Sequence, residues 1–570
     1  MHSQPDTESG DKRELEVVES ENEQINQDLD RIATINVNNY HGLNAKIILV
    51  YASINLIAFA QLLNLVGAAA YARDIAAVVG GSDKTVWLSQ AIVILTVVLG
   101  PPVSQAADLW GRKWFLVILT ACGFAGSMVV ARATSMGMAI AGEVICGLVY
   151  GSQPLLYAVV SEILPRKYRP AAQGGINASL GLGGLTALLA GSTMIKKYDE
   201  GFRVFWYLVA AILAVSAIIF AILYNPPARP LQKSLTTGEK VQRLDWVGYF
   251  LLAAGTVSFV LALSWAENPY AWKSAAVLAP LLIGAALLGA LVVHQTIFKK
   301  DGLLHNELFR GGRNFSVALF VIFVDGMVFF AANNYYAYEM GALFETDPFR
   351  VGLRFGITFI ASMVSSIMIA IFSSITNHIR TPIVASFAMF VVFNGCMASI
   401  GLGSSTAAWV YPAILGLGIG WSLTCLVTVA QLSTPPSLIA ITTGLLIAVR
   451  SLGGSIGLAI FTAIFNTALT EKLGPGIAKA VIPLGLAPAN LEAFITALAN
   501  DDEATLMTIP GVTPQIIGAG VEALKTAFAG SFRGVWIAAA ALAAVATIAS
   551  CFFAEPKTIT MHVDAPLDEE

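Results

Sequence analysis

The stretch that decides the fold is Ser104–Trp114, SQAADLWGRKW, which carries Asp108, Arg112 and Lys113 in a chain where only 12% of residues are charged. Apolar runs flank it, Val86 to Ala106 before and Phe115 to Ala133 after, each close to the roughly 20 residues that a helix needs to cross a bilayer. The pattern Asp108-x-x-Gly111-Arg112-Lys113 therefore sits in a short polar turn between two membrane helices. Gly111 lets the chain reverse tightly, while the acid and the bases can clamp neighbouring helix ends.

Working outward, similar windows fill most of the chain. Hydrophobic residues make up 56% of the 570, with 50 glycines, and the mean hydropathy is +0.71. Such a composition describes an all-α membrane protein rich in small packing residues. Apolar windows between polar breaks give about 14 spans. The six of the first half run from Ile47 to Ala72, Val86 to Ala106, Phe115 to Ala133, Met136 to Val160, Gly174 to Met194 and Phe202 to Tyr224. Trp246 to Trp265 and Ala275 to Ile297 follow a polar loop. The last six are Phe315 to Tyr338, Val351 to Phe372, Pro382 to Leu402, Val410 to Ala430, Gly444 to Leu469 and Gly534 to Ala554.

This divides the chain into an acidic, disordered tail (1–45), a six-helix half (46–224), inner loops with two inserted helices (225–314), a second six-helix half (315–554) and a short tail (555–570). Lys and Arg concentrate in the loops "DLWGRK", "LPRKYRP", "NPPARPLQKSLTTGEKVQRLD", "FKKDGLLHNELFRGGRN" and "TNHIRT", which the positive-inside rule assigns to the cytoplasm together with both termini. "IKKYDEGFR" is an exception among the outer loops. Residues 470–533 read as a long outer loop whose mixed pattern predicts short amphipathic helices over the outer mouth.

Several function classes drop out. The N-terminus lacks a signal-peptide pattern. The five cysteines lie far apart in apolar segments and read as buried hydrophobes, and the six histidines form no metal-ligand spacing. No GxxxxGK[ST] phosphate cradle occurs, which disfavours a nucleotide-driven pump, and no acidic ring suggests a channel filter. No catalytic constellation recurs, so neither an enzyme nor a cofactor is expected. The net charge of −4 gives no reason to expect a nucleic-acid partner. The sequons at Asn177 and Asn314 fall in a span and an inner loop, where glycosylation is not expected.

The Asp108–Lys113 turn resembles the signature loop of the major facilitator superfamily, with Ser104 where that family usually has its first Gly. "SEILPRKYRPAAQGG" after span 4 is similar to the corresponding family loop, and the resemblance implies that Glu162 partners Arg112, with Arg169 in the same gating motif. Fourteen spans, "AVRSLGGSIGLAIF" in span 13 and "GEVICGLVYGSQPLLYAVVSEILPRKYRP" resemble the drug:proton antiporter and siderophore-transporter branch, most of all the fungal trichothecene efflux pumps. This implies two six-helix halves of inverted repeats with a two-helix insert and a midplane cavity. It also implies a monomer, most simply in the plasma membrane, coupling protons to export of a small amphipathic metabolite. Uptake of ferric siderophores stays open as the alternative, because the antiporter signature is degenerate. Span 4 has Glu143 where many antiporters have Arg, and span 5 lacks the usual Gly-Pro while keeping scattered glycines such as Gly191.

Charges within spans are costly and mark function by default. Glu143 in span 4 and Asp325 in span 9 are therefore the candidates for proton coupling or substrate contact, against a structural hydrogen-bonding role. Arg450 near the inner end of span 13 reads as structural. Amides in the spans are cavity candidates or interhelical glue: Asn55, Gln61 and Asn64 in span 1, Gln90 in span 2, Asn177 in span 5 and Asn333 at the end of span 9. Gln61 and Asn64 share a helix face, three residues apart. Tyr335, Tyr336 and Tyr338 read as an interfacial belt more than a binding box.

Overall fold

The computed structural model describes residues 44–555, apart from 199, 228–229, 267–269, 300–301, 311, 346, 436–437 and 500–502. Among the described residues, fourteen helices are long and apolar enough to cross a membrane. We number them α1 (Ala45–Ala70), α2 (Trp87–Trp110), α3 (Arg112–Ala131), α4 (Met136–Ile163), α5 (Arg166–Lys197), α6 (Gly201–Leu223), α7 (Trp246–Trp265), α8 (Ala275–Phe298), α9 (Asn314–Leu343), α10 (Phe349–Thr376), α11 (Arg380–Ala398), α12 (Ala407–Leu432), α13 (Ile439–Leu484) and α14 (Pro514–Ser550). The tails lie almost wholly outside the described residues.

The neighbour pattern repeats. In α1–α6, α1 packs on α5 and α6, α3 on α4 and α6, and α2 on α4; in α9–α14, α9 packs on α13 and α14, α11 on α12 and α14, and α10 on α12. The halves meet along two seams, α2 against α13 and α5 against α10. The inserted pair packs on itself and lays α7 across the first seam, touching both α2 and α13. Val97, Leu252, Leu291, Leu303 and Ala448 form a small apolar cluster there.

Sequence explains the breaks. Gly111 closes the α2–α3 turn at φ +96°, a backbone conformation that disfavours side chains. In α4 the helix tightens to a 3₁₀ turn over Leu148–Ser152, then resumes with Pro154 in its first turn, where no amide is needed. Ser104, which stands in for an expected glycine, is fully buried and donates to the Gly100 carbonyl at 2.7 Å. The small residue comes from across the seam: a Cβ on Gly444 of α13 would lie 2.6 Å from Ser104 Oγ. Close packing survives there with the glycine on the opposite helix.

The 470–533 segment departs from the expected loop. Helix α13 continues to Leu484 and α14 begins at Pro514, so both run well past the apolar stretch. Two shorter helices, Leu491–Ala499 and Glu503–Thr508, lie between them. Ile477, Val481, Phe494, Leu498, Leu506 and Ile516 bury one another in a core separate from that of the bundle. Hydropathy marks only the part of a helix that lipid touches; these extensions are held by their own apolar faces instead.

Candidate functional site

A cavity lies between the halves. Its inner chamber is lined from one half by residues of α1, α2, α4 and α5, including Gln61, Tyr150, Gln153 and Asn177. The other half contributes Phe329, Thr358, Ser362, Leu423 and Arg450 from α9, α10, α12 and α13. A second chamber shares Leu62, Leu65, Val93, Phe329 and Phe330 with the first. It adds Gln90, Asn333, Asn334 and Ser455, and so continues toward the face opposite the Lys- and Arg-rich loops. Most of the wall is apolar with a few convergent polar groups, the usual make-up of a small-molecule site.

Arg450 is the one charged residue lining either chamber among the described residues. Its Nε donates to Asp325 Oδ2 at 2.6 Å, and its guanidinium lies 4.7 Å from the centre of the Phe329 ring. Asp325 itself is fully buried behind the wall and also accepts from Ser422 Oγ at 2.6 Å. The two side chains meet because α9 and α13 touch backbone to backbone: a Cβ on Gly326 would lie 1.9 Å from the Arg450 carbonyl oxygen.

Glu143 sits elsewhere, fully buried among α1, α4 and α6. It accepts from Asn64 Nδ2 at 3.0 Å and from Trp206 Nε1 at 2.8 Å. The second half holds a counterpart that sequence reading did not single out. Glu339 of α9, 1% exposed, accepts from Trp536 Nε1 of α14 at 2.7 Å. Each half thus braces its sixth helix with a buried carboxylate beneath an indole. The signal for Glu339 was present as an acid in "YYAYEM", but it stood near the expected end of its span.

On the basic-loop face the halves are sealed by amides. Gln431 Oε1 of α12 accepts from Ser161 Oγ of α4 at 2.6 Å and from Gln173 Nε2 of α5 at 3.1 Å. Asn177 donates to Thr424 of α12 at 3.0 Å while accepting from Tyr157 at 3.0 Å. On the opposite face an ion pair between the halves is exposed, Lys196 with Asp347 at 3.3 Å.

The gating motif assembles within one half. Arg112, 3% exposed, pairs with Asp108 at 3.1 Å and with Glu162, so α2, α3 and α4 are tied at one end. Arg169 is buried and donates from Nε to the Ser161 carbonyl at 3.1 Å, next to the Gln431 seal. Lys113 is half-buried and donates to Asn225.

Several sequence expectations are corrected. Of the α1 amides only Gln61 lines the cavity; Asn64 turns to Glu143, and Asn55 bonds to the Tyr51 carbonyl and to Ser179 of α5. Three residues along a helix turn by about 300°, so the two side chains are neighbours without facing one partner. Gln90 and Asn333 line the outer chamber and Asn177 the inner one. Arg450 faces the cavity, not the inner end of its span, because α13 starts at Ile439 and has made about three turns by then. Gly191 admits the Tyr71 ring, whose hydroxyl would lie 2.5 Å from an added Cβ. Tyr335 and Tyr336 are buried, donating to Thr462 and to the Ala408 carbonyl, whereas Tyr338 is half exposed. A belt reading therefore fits Tyr338 alone.

Two six-helix halves, an inserted pair and a cavity between the halves make up the architecture of a membrane transporter. The Major Facilitator Superfamily model matches residues 51–458, and the chain belongs to that superfamily. Among similar proteins, the efflux pump FUS6 of Gibberella moniliformis is 25% identical over 537 residues, covering 92% of this chain and 91% of that one. The trichothecene efflux pump TRI12 of Fusarium sporotrichioides is 22% identical over 476 residues, covering 82% and 78%. A solved structure of the proton:xylose symporter XylE aligns with a TM-score of 0.50 at 10% identity, covering 87% of this chain and 94% of that one, a likeness of fold.

Proposed function

We propose that this transporter couples inward proton movement to export of a small amphipathic secondary metabolite. The basic-loop face is taken as cytoplasmic, on the positive-inside rule. The observation that carries the reading is the cavity's single cation held by a buried carboxylate: Arg450 lines the wall and Asp325 stands behind it. Asp325 and Arg450 share one contact, so proton exchange at Asp325 changes the charge that the cavity wall presents to cargo. Glu143 is a second proton site in this reading. It lies in a dry junction with two neutral donors, and no ion pair described for the chain includes it. The efflux names of the relatives support the direction and the cargo class.

The test is flux in vesicles with the basic face outward, under a pH gradient acid inside. Cargo accumulation driven by that gradient is expected. Concentrative uptake only in vesicles of the opposite orientation, as for ferric siderophores, would overturn the direction. Asp325→Asn should retain downhill counterflow while losing uphill accumulation; a variant that still concentrates cargo fully would remove Asp325 from coupling. The same comparison with Glu143→Gln assigns the second site.

A further inference from the structure

We infer that the cargo is an amphipathic carboxylic acid, held by the outward end of the Arg450 guanidinium. The inference rests on the reading that this cavity takes the cargo. Arg450 engages Asp325 through Nε, side-on, and neither Nη has a protein partner among the described residues. Those two nitrogens form the parallel fork that matches a carboxylate bidentately. The side chain is 15% exposed and its guanidinium lies over Phe329, which lines both chambers. A carboxylate can therefore reach the fork while Phe329 shields it from bulk water, and no acidic side chain among the lining residues opposes an anion there.

The rest of the wall fixes the remaining chemistry. Gln61 Oε1 and Thr358 Oγ1 are buried, each in a side chain 1% exposed, and neither has a hydrogen-bond partner. Both residues line the inner chamber, from α1 and α10 in opposite halves. Unpaired buried polar atoms are unfavourable unless a ligand or water meets them. Gln61 Oε1 is an acceptor, so it calls for a donor such as a hydroxyl; Thr358 takes either partner. Leu62, Leu65, Ile92, Phe330, Phe359 and Ile447 provide apolar contact around these points. The structure assigns a hydroxylated, largely apolar acid, spanning both halves between Gln61 and Arg450.

The test uses hydroxylated terpenoid carboxylic acids, each paired with its methyl ester, in equilibrium binding to the purified full chain at pH 7.5, corrected for partition into empty micelles. The expected result is that the acids bind about tenfold or more tightly than their esters, the strength of a charge-assisted bidentate contact. Arg450→Gln alone would leave Asp325 buried without its counter-charge, so the variant is Asp325→Asn with Arg450→Gln, whose wall stays neutral. In it the acid and ester affinities should converge. Esters that equal or exceed their acids on the wild-type protein would overturn the proposal, as would an acid preference surviving in the double variant. If esters bind and Leu423→Trp, which narrows the chamber, abolishes that binding, the cavity reading stands and only the acid assignment fails. If neither class binds, both readings fall together.

Discussion

Replacing Gln431 by Leu should open the basic-loop face of the bundle. Gln431 Oε1 accepts two hydrogen bonds from the other half, from Ser161 at 2.6 Å and Gln173 at 3.1 Å. Its third bond, to Thr443 of α13 at 2.9 Å, lies within its own half and is lost in every conformation. Ser161 Oγ still accepts from Gln173 Nε2 at 2.5 Å, so each side chain keeps a bond and only the Ser161 O–H loses its acceptor. Each cross-half bond then contributes about 1 kcal/mol to the sealed state, relative to water-bonded groups in the open one. Two make about 2 kcal/mol, or roughly a thirtyfold rise in the open-to-sealed ratio. The assay is the rate at which a membrane-impermeant maleimide, added to the basic face, modifies a cysteine placed at Gln153 of the cavity wall. Exposed Cys551 and half-buried Cys122 and Cys396 are first replaced. Modification rate follows the open population even when that population is small. A rate within about threefold of the Gln431 parent would refute the claim that these bonds hold the face shut.

Three further outcomes follow from the same geometry. Glu162→Gln removes one anion from the buried Arg112 clamp and should cost about 3–5 kcal/mol at most, since Asp108 still pairs with Arg112 at 3.1 Å; thermal unfolding in micelles reads it, and an unchanged midpoint would remove the clamp from stability. Gly326→Ala places a methyl 1.9 Å from the Arg450 carbonyl oxygen and forces α9 from α13, a loss of about 3 kcal/mol or more seen as poor recovery of monodisperse protein. Asp245, which caps α7, would be raised by burial, but hydrogen bonds from Gln295, the Gly248 amide and His294 outweigh this and hold its carboxyl below the ordinary 3.8. A folded value below the unfolded one stabilises fully above about pH 4 and less as pH falls through the folded value, so Asp245→Asn should flatten the acid limb of the stability profile; an unchanged limb would contradict it.

The membrane bundle was legible in the chain because lipid imposes a simple demand, a run of apolar residues long enough to cross it. The Asp108–Lys113 turn was legible too, since a glycine and three charges between two such runs have few other placements. Sequence also determined that Glu143 and Asp325 lie within spans. What hydropathy could not reach were helices that outrun the lipid: α13 and α14 extend past it on an apolar core of their own, formed between residues far apart in the chain.

Which buried acid faces which partner was decided by tertiary structure alone. Glu143 and Asp325 look alike in sequence, each one acid in an apolar run, yet one is capped by Asn64 and Trp206 and the other by Arg450 and Ser422. That difference arises from packing, because glycines such as Gly326 let α9 and α13 approach closely enough for an aspartate and an arginine 125 residues apart to meet. Periodicity reports the direction of a side chain around its own helix, whereas a site needs the identity of the helix it points at. Lipid acts on each span independently and so leaves its mark in each segment of sequence; the cavity, the seal and the Asp325–Arg450 pair exist only where two halves come together.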